Sequence, residues 1–208
     1  LQDFSNTSNN GAADVYGGFG EGQTTANTAV ADPDDANNTV RQFTVTAEGN
    51  VWKGIFMRPQ THYIDLTSNQ TVSLKVYSST AIHLRGIIQG AQSGQAVIDD
   101  AANTVAHTGS GWETLSFTFT GATGEWSELA IRTSVDAAGA LNNTAAYTAY
   151  VDDLTAVQGS AIPVPSQPTT SPAAPTKDGA DVISIFSDTY TNINVTNYNP
   201  PWGQSGSV

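Results

Sequence analysis

Tyr147-Thr148-Ala149-Tyr150-Val151-Asp152-Asp153-Leu154-Thr155-Ala156-Val157 is the stretch that decides the fold. Aromatic and β-branched residues run through it, the composition of a half-buried β-strand. Two adjacent carboxylates, Asp152 and Asp153, stand where a strand carries few. As neighbours on a strand they point their side chains to opposite faces, so these two cannot act as a catalytic pair. One of them then faces the interior or an edge, where a carboxylate is costly unless it is paired. Gly159 follows closely, and then a run rich in Pro, Ser and Thr. The stretch reads as the strand that closes a domain.

Working outward, the same period of two recurs. In Thr71-Val72-Ser73-Leu74-Lys75-Val76-Tyr77, Val72, Leu74 and Val76 face inward, while Ser73, Lys75 and Tyr77 face outward. Val40 to Thr46 and Trp52 to Met57 read as strands. Ile82, Leu84 and Ile88 share one face, with His83, Arg85 and Ile87 on the other. Leu115, Phe117 and Phe119 offer themselves to a core, as do Leu129 and Ile131. No window of a dozen residues carries a helical stripe. Many short alternating strands separated by Gly, Asn, Asp and Ser predict an all-β fold, an antiparallel β-sandwich over residues 1–158. That length is enough for a core of its own.

Residues 159–179 contain Pro163, Pro165, Pro168, Pro172 and Pro175, the composition of an extended linker. Beyond it, Ile185-Phe186-Ser187-Asp188 echoes Asp3-Phe4-Ser5-Asn6, and Trp202-Gly203-Gln204 echoes Phe19-Gly20-Glu21 at nearly the same offset. Residues 180–208 are therefore expected to be the start of a second, similar sandwich, truncated here. Such a fragment cannot bury a core alone. It is disordered or borrows the edge of a partner by strand exchange. The chain begins at Leu1 without an initiator Met, which reads as a processed or cut end.

The net charge is -12, with only seven Lys and Arg, so the chain repels nucleic acid and anionic membrane surfaces. With no cysteine, disulfides and thiolate chemistry are excluded. No apolar run reaches the roughly 20 residues of a membrane span. The acidic, Lys-poor, Asn/Thr/Ser/Gly-rich composition fits a secreted protein of salty water.

Few residue groups suggest catalysis. His62, His83 and His107 stand near no nucleophile elbow. The glycines around Tyr16 and Phe19 are followed by no Gly-Lys-Ser/Thr, so a nucleotide loop is not expected. Asp32, Asp34 and Asp35 around Pro33 read as a solvated turn rather than a cation loop. No enzyme is expected. For the Asp152–Asp153 pair, calcium is the natural partner, since it takes six to eight oxygens. First and last strands of a sandwich often lie side by side, which would bring Asp3 to Asp152. Exposure, or bonding to Ser and Thr, is the alternative.

Sugar sites combine aromatic planes with fixed polar groups. Trp126, in the polar context Gly124-Glu125-Trp126-Ser127-Glu128, reads as exposed; Trp112 reads as core; Trp52 reads either way. Lys75, Tyr77, His83 and Arg85 share outward parity on strands expected to be neighbours, which would give one polar face. Salt bridges to nearby acids are an equal reading for the cations.

Val51-Trp52-Lys53-Gly54-Ile55-Phe56, Gly111-Trp112-Glu113-Thr114-Leu115-Ser116-Phe117-Thr118-Phe119 and Tyr150-Val151-Asp152-Asp153-Leu154 together resemble jelly-roll carbohydrate-binding modules, of the kind related to families 4, 9 and 22. The resemblance extends to modules found in tandem in secreted glycan-degrading and glycan-binding proteins of marine bacteria, which often begin like Ile185-Phe186-Ser187-Asp188. It implies a jelly roll with a structural calcium held by Asp3 and Asp152. It also implies a glycan groove on the concave sheet, with aromatics at positions such as Trp52. Leu84-Arg85-Gly86-Ile87 departs from the Leu-Lys-Leu-Glu-like strand of that family: the acidic end is lost and Gly86 opens space.

The expected function is a non-catalytic polysaccharide-binding module, extracellular or on the cell surface, within a longer multidomain protein. Trp52, Trp126, Tyr77, Lys75, His83 and Arg85 are the expected glycan contacts, and Asp3 and Asp152 the metal ligands. The rival is a structural or adhesive repeat of an extracellular filament or stalk.

Overall fold

In the computed structural model, Thr71–Ser78 alternates half-buried and buried side chains along its whole length. This is the signature of a strand with one face on a core. The structure describes residues 15–25, 30–143 and 145–163, together with Asp178. The chain divides into two compact units, Leu1–Pro163 and Val164–Val208. All described strands belong to the first. The expected repeat and strand exchange in 180–208, and most of the expected linker, lie outside the described residues.

The strands are β1 (Val15–Phe19), β2 (Gln23–Thr25), β3 (Val30–Ala31), β4 (Thr39–Val45), β5 (Gly54–Arg58), β6 (His62–Asp65) and β7 (Thr71–Ser78). They continue with β8 (Ile82–Ala91), β9 (Thr104–His107), β10 (Gly111–Thr118), β11 (Glu125–Arg132), β12 (Tyr147–Thr155) and β13 (Gln158–Ala161). One sheet runs β10-β7-β12-β4-β2, with β3 added to β4. The other centres on β11, which pairs β8 along one side and β5 and β6 along the other. There β8 carries β9, β5 carries β1 and β6 carries β13. The fold is the expected antiparallel β-sandwich. Among the described residues no helix is long and apolar enough to cross a membrane.

The two inner faces meet in one core. Phe43, Val72, Leu74, Val76, Phe117, Ala149, Val151 and Leu154 from the first sheet pack against Ile55, Met57, Ile64, Leu84, Ile88, Leu129 and Ile131 from the second. Burying each large aliphatic or aromatic side chain contributes about 1.5–3 kcal/mol. The alternation read from β7, β8 and β10 is what delivers these residues to one side.

Four expectations change. β12 does not close the domain, because β13 follows and pairs with β6, so residues 159–161, read as linker, are strand. β12 lies in the middle of its sheet between β7 and β4, while β1, the first described strand, belongs to the other sheet. Gly86 opens no space for a ligand: a Cβ there would sit 2.8 Å from the Phe117 ring, so the core already fills it. Finally, Asp152 and Asp153 do not alternate. Asp152 stands opposite Lys75 and Thr155 opposite Ser73, three residues advancing against two, which is a β-bulge. Asp153 takes φ 46° there, the left-handed region. Both carboxylates end on the outer side of the sheet, where Lys75 reaches Asp153.

Candidate functional site

Across the outer face of the first sheet, register lines up Trp112 (β10), Tyr77 (β7), Tyr150 (β12) and Gln42 (β4) in one row. Tyr77 meets Trp112 edge-to-face with ring centroids 5.5 Å apart, and Tyr150 at 5.7 Å. Gln42 Nε2 donates to the Tyr150 hydroxyl at 3.1 Å. All three rings are half-buried, so each keeps part of its surface on solvent. Three strand spacings of about 4.8 Å make the row roughly 14 Å long. It runs perpendicular to the strands.

The neighbouring rows are polar. Thr44 pairs with Thr148, Ser73 with Ser116 and Thr71 with Thr118 through hydroxyl–hydroxyl contacts of 2.9–3.1 Å. Next to the rings, Lys75 Nζ lies 5.6 Å from the centre of the Trp112 ring and 3.5 Å from Asp153 Oδ2. The Asp32–Asn38 turn, between β3 and β4, leans on the same face. Trp112 Nε1 donates to Asp32 Oδ1 at 2.9 Å. Asn38 Nδ2 donates both to Asp32 Oδ2, at 3.1 Å, and to Asp152 Oδ2, at 3.2 Å. Partial burial works to raise the Asp32 pKa. The hydrogen bonds from Asp34 and Asp35 N–H, Trp112 and Asn38 outweigh it and hold the carboxyl below its ordinary value.

Asp152 is buried although it faces outward, because this turn covers it. Its Oδ1 accepts from the Asp153 N–H at 2.9 Å and its Oδ2 from Asn38. Asp3, the other expected metal ligand, lies outside the described residues. Among the described residues no group of three or more His, Asp or Glu side chains gathers around a common point.

The expected sugar contacts are divided between two faces. Lys75 and Tyr77 join the aromatic row. His83 and Arg85 stand on β8, in the opposite sheet, so the four residues do not form one polar face. Arg85 is buried, paired to Asp99 at 2.9 Å and bonded to the Gly139 carbonyl at 2.7 Å. Arg132 joins the same Asp99 at 3.0 Å and stacks on Trp52, 4.6 Å from the ring centre. Trp52 is 53% exposed, on that second face. Arg58, Glu128 and Gln89 form a further polar cluster on that sheet.

Trp126 is a correction. It is fully buried in the core, and its Nε1 donates to the Thr123 carbonyl at 3.1 Å, so it cannot stack on an external ligand. Its polar neighbours in sequence conceal that β11 already starts at Glu125. Trp112 is the converse: read as core, it lies on the outer face. The signal was present, since Leu115, Phe117 and Phe119 set the inward parity and Trp112 falls on the other. A cleft of about 90 Å³, lined by residues including His83, Thr133 and Tyr147, opens elsewhere. It is below the ~300 Å³ of ordinary ligand pockets.

No family model and no curated protein matches the sequence. Among solved structures the chain is similar to a protein described for the promiscuous specificity of β-sandwich carbohydrate-binding modules: 14% identity, TM-score 0.43, 67% of this chain and 55% of that one. It is similar to the CBM22-1 xylan-binding domain from Paenibacillus barcinonensis (15%, TM-score 0.43, 75% of this chain and 88% of that one). A family 11 carbohydrate-binding module from Clostridium thermocellum, in complex with a β-1,3-1,4-mixed-linked tetrasaccharide, is similar at 16% identity and TM-score 0.46, over 74% of this chain and 91% of that one. These are likenesses of chain path and transfer no residue roles.

Proposed function

We propose that this sandwich is a non-catalytic polysaccharide-binding module whose platform is the row Trp112–Tyr77–Tyr150–Gln42. The row itself carries the reading. A pyranose ring has an apolar face of C–H groups and a rim of hydroxyls. Half-exposed aromatic rings suit the face. The Gln42 amide, the tyrosine hydroxyls, Lys75 and the flanking Ser and Thr hydroxyls suit the rim. A row crossing several strands fits an extended chain, which an open face admits anywhere along its length. As part of a secreted or cell-surface multidomain protein, the module would raise the effective concentration of its neighbours on the polymer.

Retention of the full chain on gels containing laminarin, xylan, mannan, agarose or alginate tests this. Retention on at least one, lost in Tyr77→Ala with the fold intact, is expected. Retention on none would overturn it. A filament or stalk role would show instead as self-association through the same face, measured by sedimentation.

Calcium at Asp3 and Asp152 goes forward as part of the proposal. Its support is that Asp152 is a buried carboxylate; both of its oxygens also accept hydrogen bonds, Oδ1 from the Asp153 N–H and Oδ2 from the Asn38 amide. If bound, the ion would supply charge compensation there. A melting temperature that falls in EDTA and recovers with added calcium is expected; an unchanged one removes the ion from the reading.

A further inference from the structure

We infer that the platform selects uncharged glycan chains and rejects polyanionic ones, with Asp153 and Asp32 as the residues that set this preference. The inference rests on the platform reading and names its ligand class. Two carboxylates stand at the row: Asp32 on the Trp112 indole N–H and Asp153 against the Lys75 ammonium. Among the described residues, Lys75 is the one cation facing outward beside the row, and it is already engaged by Asp153 and the Trp112 ring; Arg41, next to Gln42 on β4, is buried. The Arg58, Arg85 and Arg132 guanidinium groups belong to the opposite sheet, each committed to Glu128 or Asp99. A uronate, sulfate or carboxymethyl group laid on this face would meet negative charge. The net charge of -12 adds a repulsive field at longer range. A neutral chain meets the rings, amides and hydroxyls without that repulsion.

Asp153 is the better residue to change. It occupies the left-handed region at φ 46°, where Asn is accommodated as readily as Asp, so Asp153→Asn preserves the bulge. The change removes one negative charge and releases Lys75 together. Asp32→Asn keeps an oxygen that accepts the Trp112 N–H and removes a second charge.

The full chain is titrated with laminarin, xylan and hydroxyethyl cellulose, each beside its carboxymethylated form, in about 20 mM and about 500 mM NaCl. The expected result is binding to a neutral form that exceeds its carboxymethylated partner roughly fivefold or more at low salt, narrowing at high salt as the Debye length falls below about 5 Å. Asp153→Asn should raise carboxymethyl binding several-fold while changing neutral binding less, with Asp32→Asn acting in the same direction. Equal or stronger binding of the carboxymethylated form by the unmodified protein would overturn the inference and leave the platform standing. An unaltered ratio in both variants would overturn their assignment. Binding of neither form would overturn the platform, and the inference with it.

Discussion

Lys75 Nζ lies 3.5 Å from Asp153 Oδ2, although the residue directly opposite Lys75 across the β7–β12 ladder is Asp152. The bulge explains the displacement. An extra residue in β12, turned at Asp153 into the left-handed region, brings a second carboxylate to the face that already carries Asp152. The same step lets Leu154 return to the core. One backbone irregularity thus sets the electrostatics of the candidate platform and restores the register of the sheet interior.

The bulge should respond to backbone chemistry more than to charge. Both members of the ion pair are about half exposed, so the pair itself contributes little, about 0–1 kcal/mol. Asp153→Gly is expected to be neutral within that range, since glycine takes φ 46° freely. Asp153→Val is expected to cost about 1–2 kcal/mol, from the left-handed clash of a β-branched residue. Urea unfolding of both variants checks this; equal stability would mean that the bulge relaxes without cost.

Period-two alternation made the inward faces of β7, β8 and β10 legible, because one side of each strand meets a dry core and the other does not. Alternation assigns a face but not a sheet. Lys75 and His83 share parity and are close in sequence, yet the chain crosses from one sheet to the other between them. The two tryptophans failed for a related reason. Trp112 lies at the start of the stretch that sends Leu115, Phe117 and Phe119 inward and Trp126 has polar neighbours, but parity and strand boundaries decide their burial. The bulge left only a faint trace, an Asp-Asp pair in a residue type that tolerates the left-handed region. The Asp32–Asn38 turn over Asp152 was illegible, since its contacts join residues far apart in the chain.

The rings of the row and the tryptophan of the core should separate cleanly by assay. Tyr77 touches both other rings, so Tyr77→Ala should weaken polysaccharide binding about tenfold or more, as truncation of a central aromatic anchor does. Trp112→Ala should do the same with a modest loss of stability. Trp126→Ala should cost about 3–5 kcal/mol of stability through the cavity it leaves. Melting curves beside affinity electrophoresis distinguish these. A Trp126→Ala protein that melts normally but binds nothing would contradict the core assignment.

Asn38 holds two carboxylates on one amide nitrogen, at 3.1 Å from Asp32 and 3.2 Å from Asp152. Removing it leaves the buried Asp152 oxygen without that donor, and Asn38→Ala should cost about 1–3 kcal/mol. Asn38→Asp should be worse, because it sets a third carboxylate between the two. The penalty of the Asp variant over the Ala variant should shrink as pH falls below the ordinary carboxylate range. Chemical denaturation at about pH 7 and about pH 3 measures it. A pH-independent difference would show that the amide's shape, and not charge, is what Asn38 supplies.

Alkaline stability should be governed by two buried phenols. Tyr147 donates to the Thr133 carbonyl at 2.7 Å and Tyr16 to the Gln42 carbonyl at 3.3 Å. Burial pushes both above their ordinary value of 10.0, with Arg41 offsetting part of this at Tyr16. A pKa raised in the folded state means that the unfolded chain loses its protons first. The stabilisation is fully present below about pH 10 and is lost as pH rises beyond it, at about 1.4 kcal/mol per pH unit for each tyrosine. The Lys53 ammonium, buried against the Thr46 and Glu48 carbonyls, has the opposite sign. Burial lowers its pKa, so its contribution improves as pH rises towards 10.5. The decline should therefore be shallow near pH 10, where one lysine offsets part of the loss from two tyrosines, and steepen above pH 10.5. Tyr147→Phe should lose about 1 kcal/mol at pH 7, from the missing hydrogen bond, yet fall off less steeply at high pH. Urea midpoints from about pH 8 to pH 11.5 decide it: parallel curves for the two proteins would mean that Tyr147 ionises in the folded state as freely as in the unfolded one.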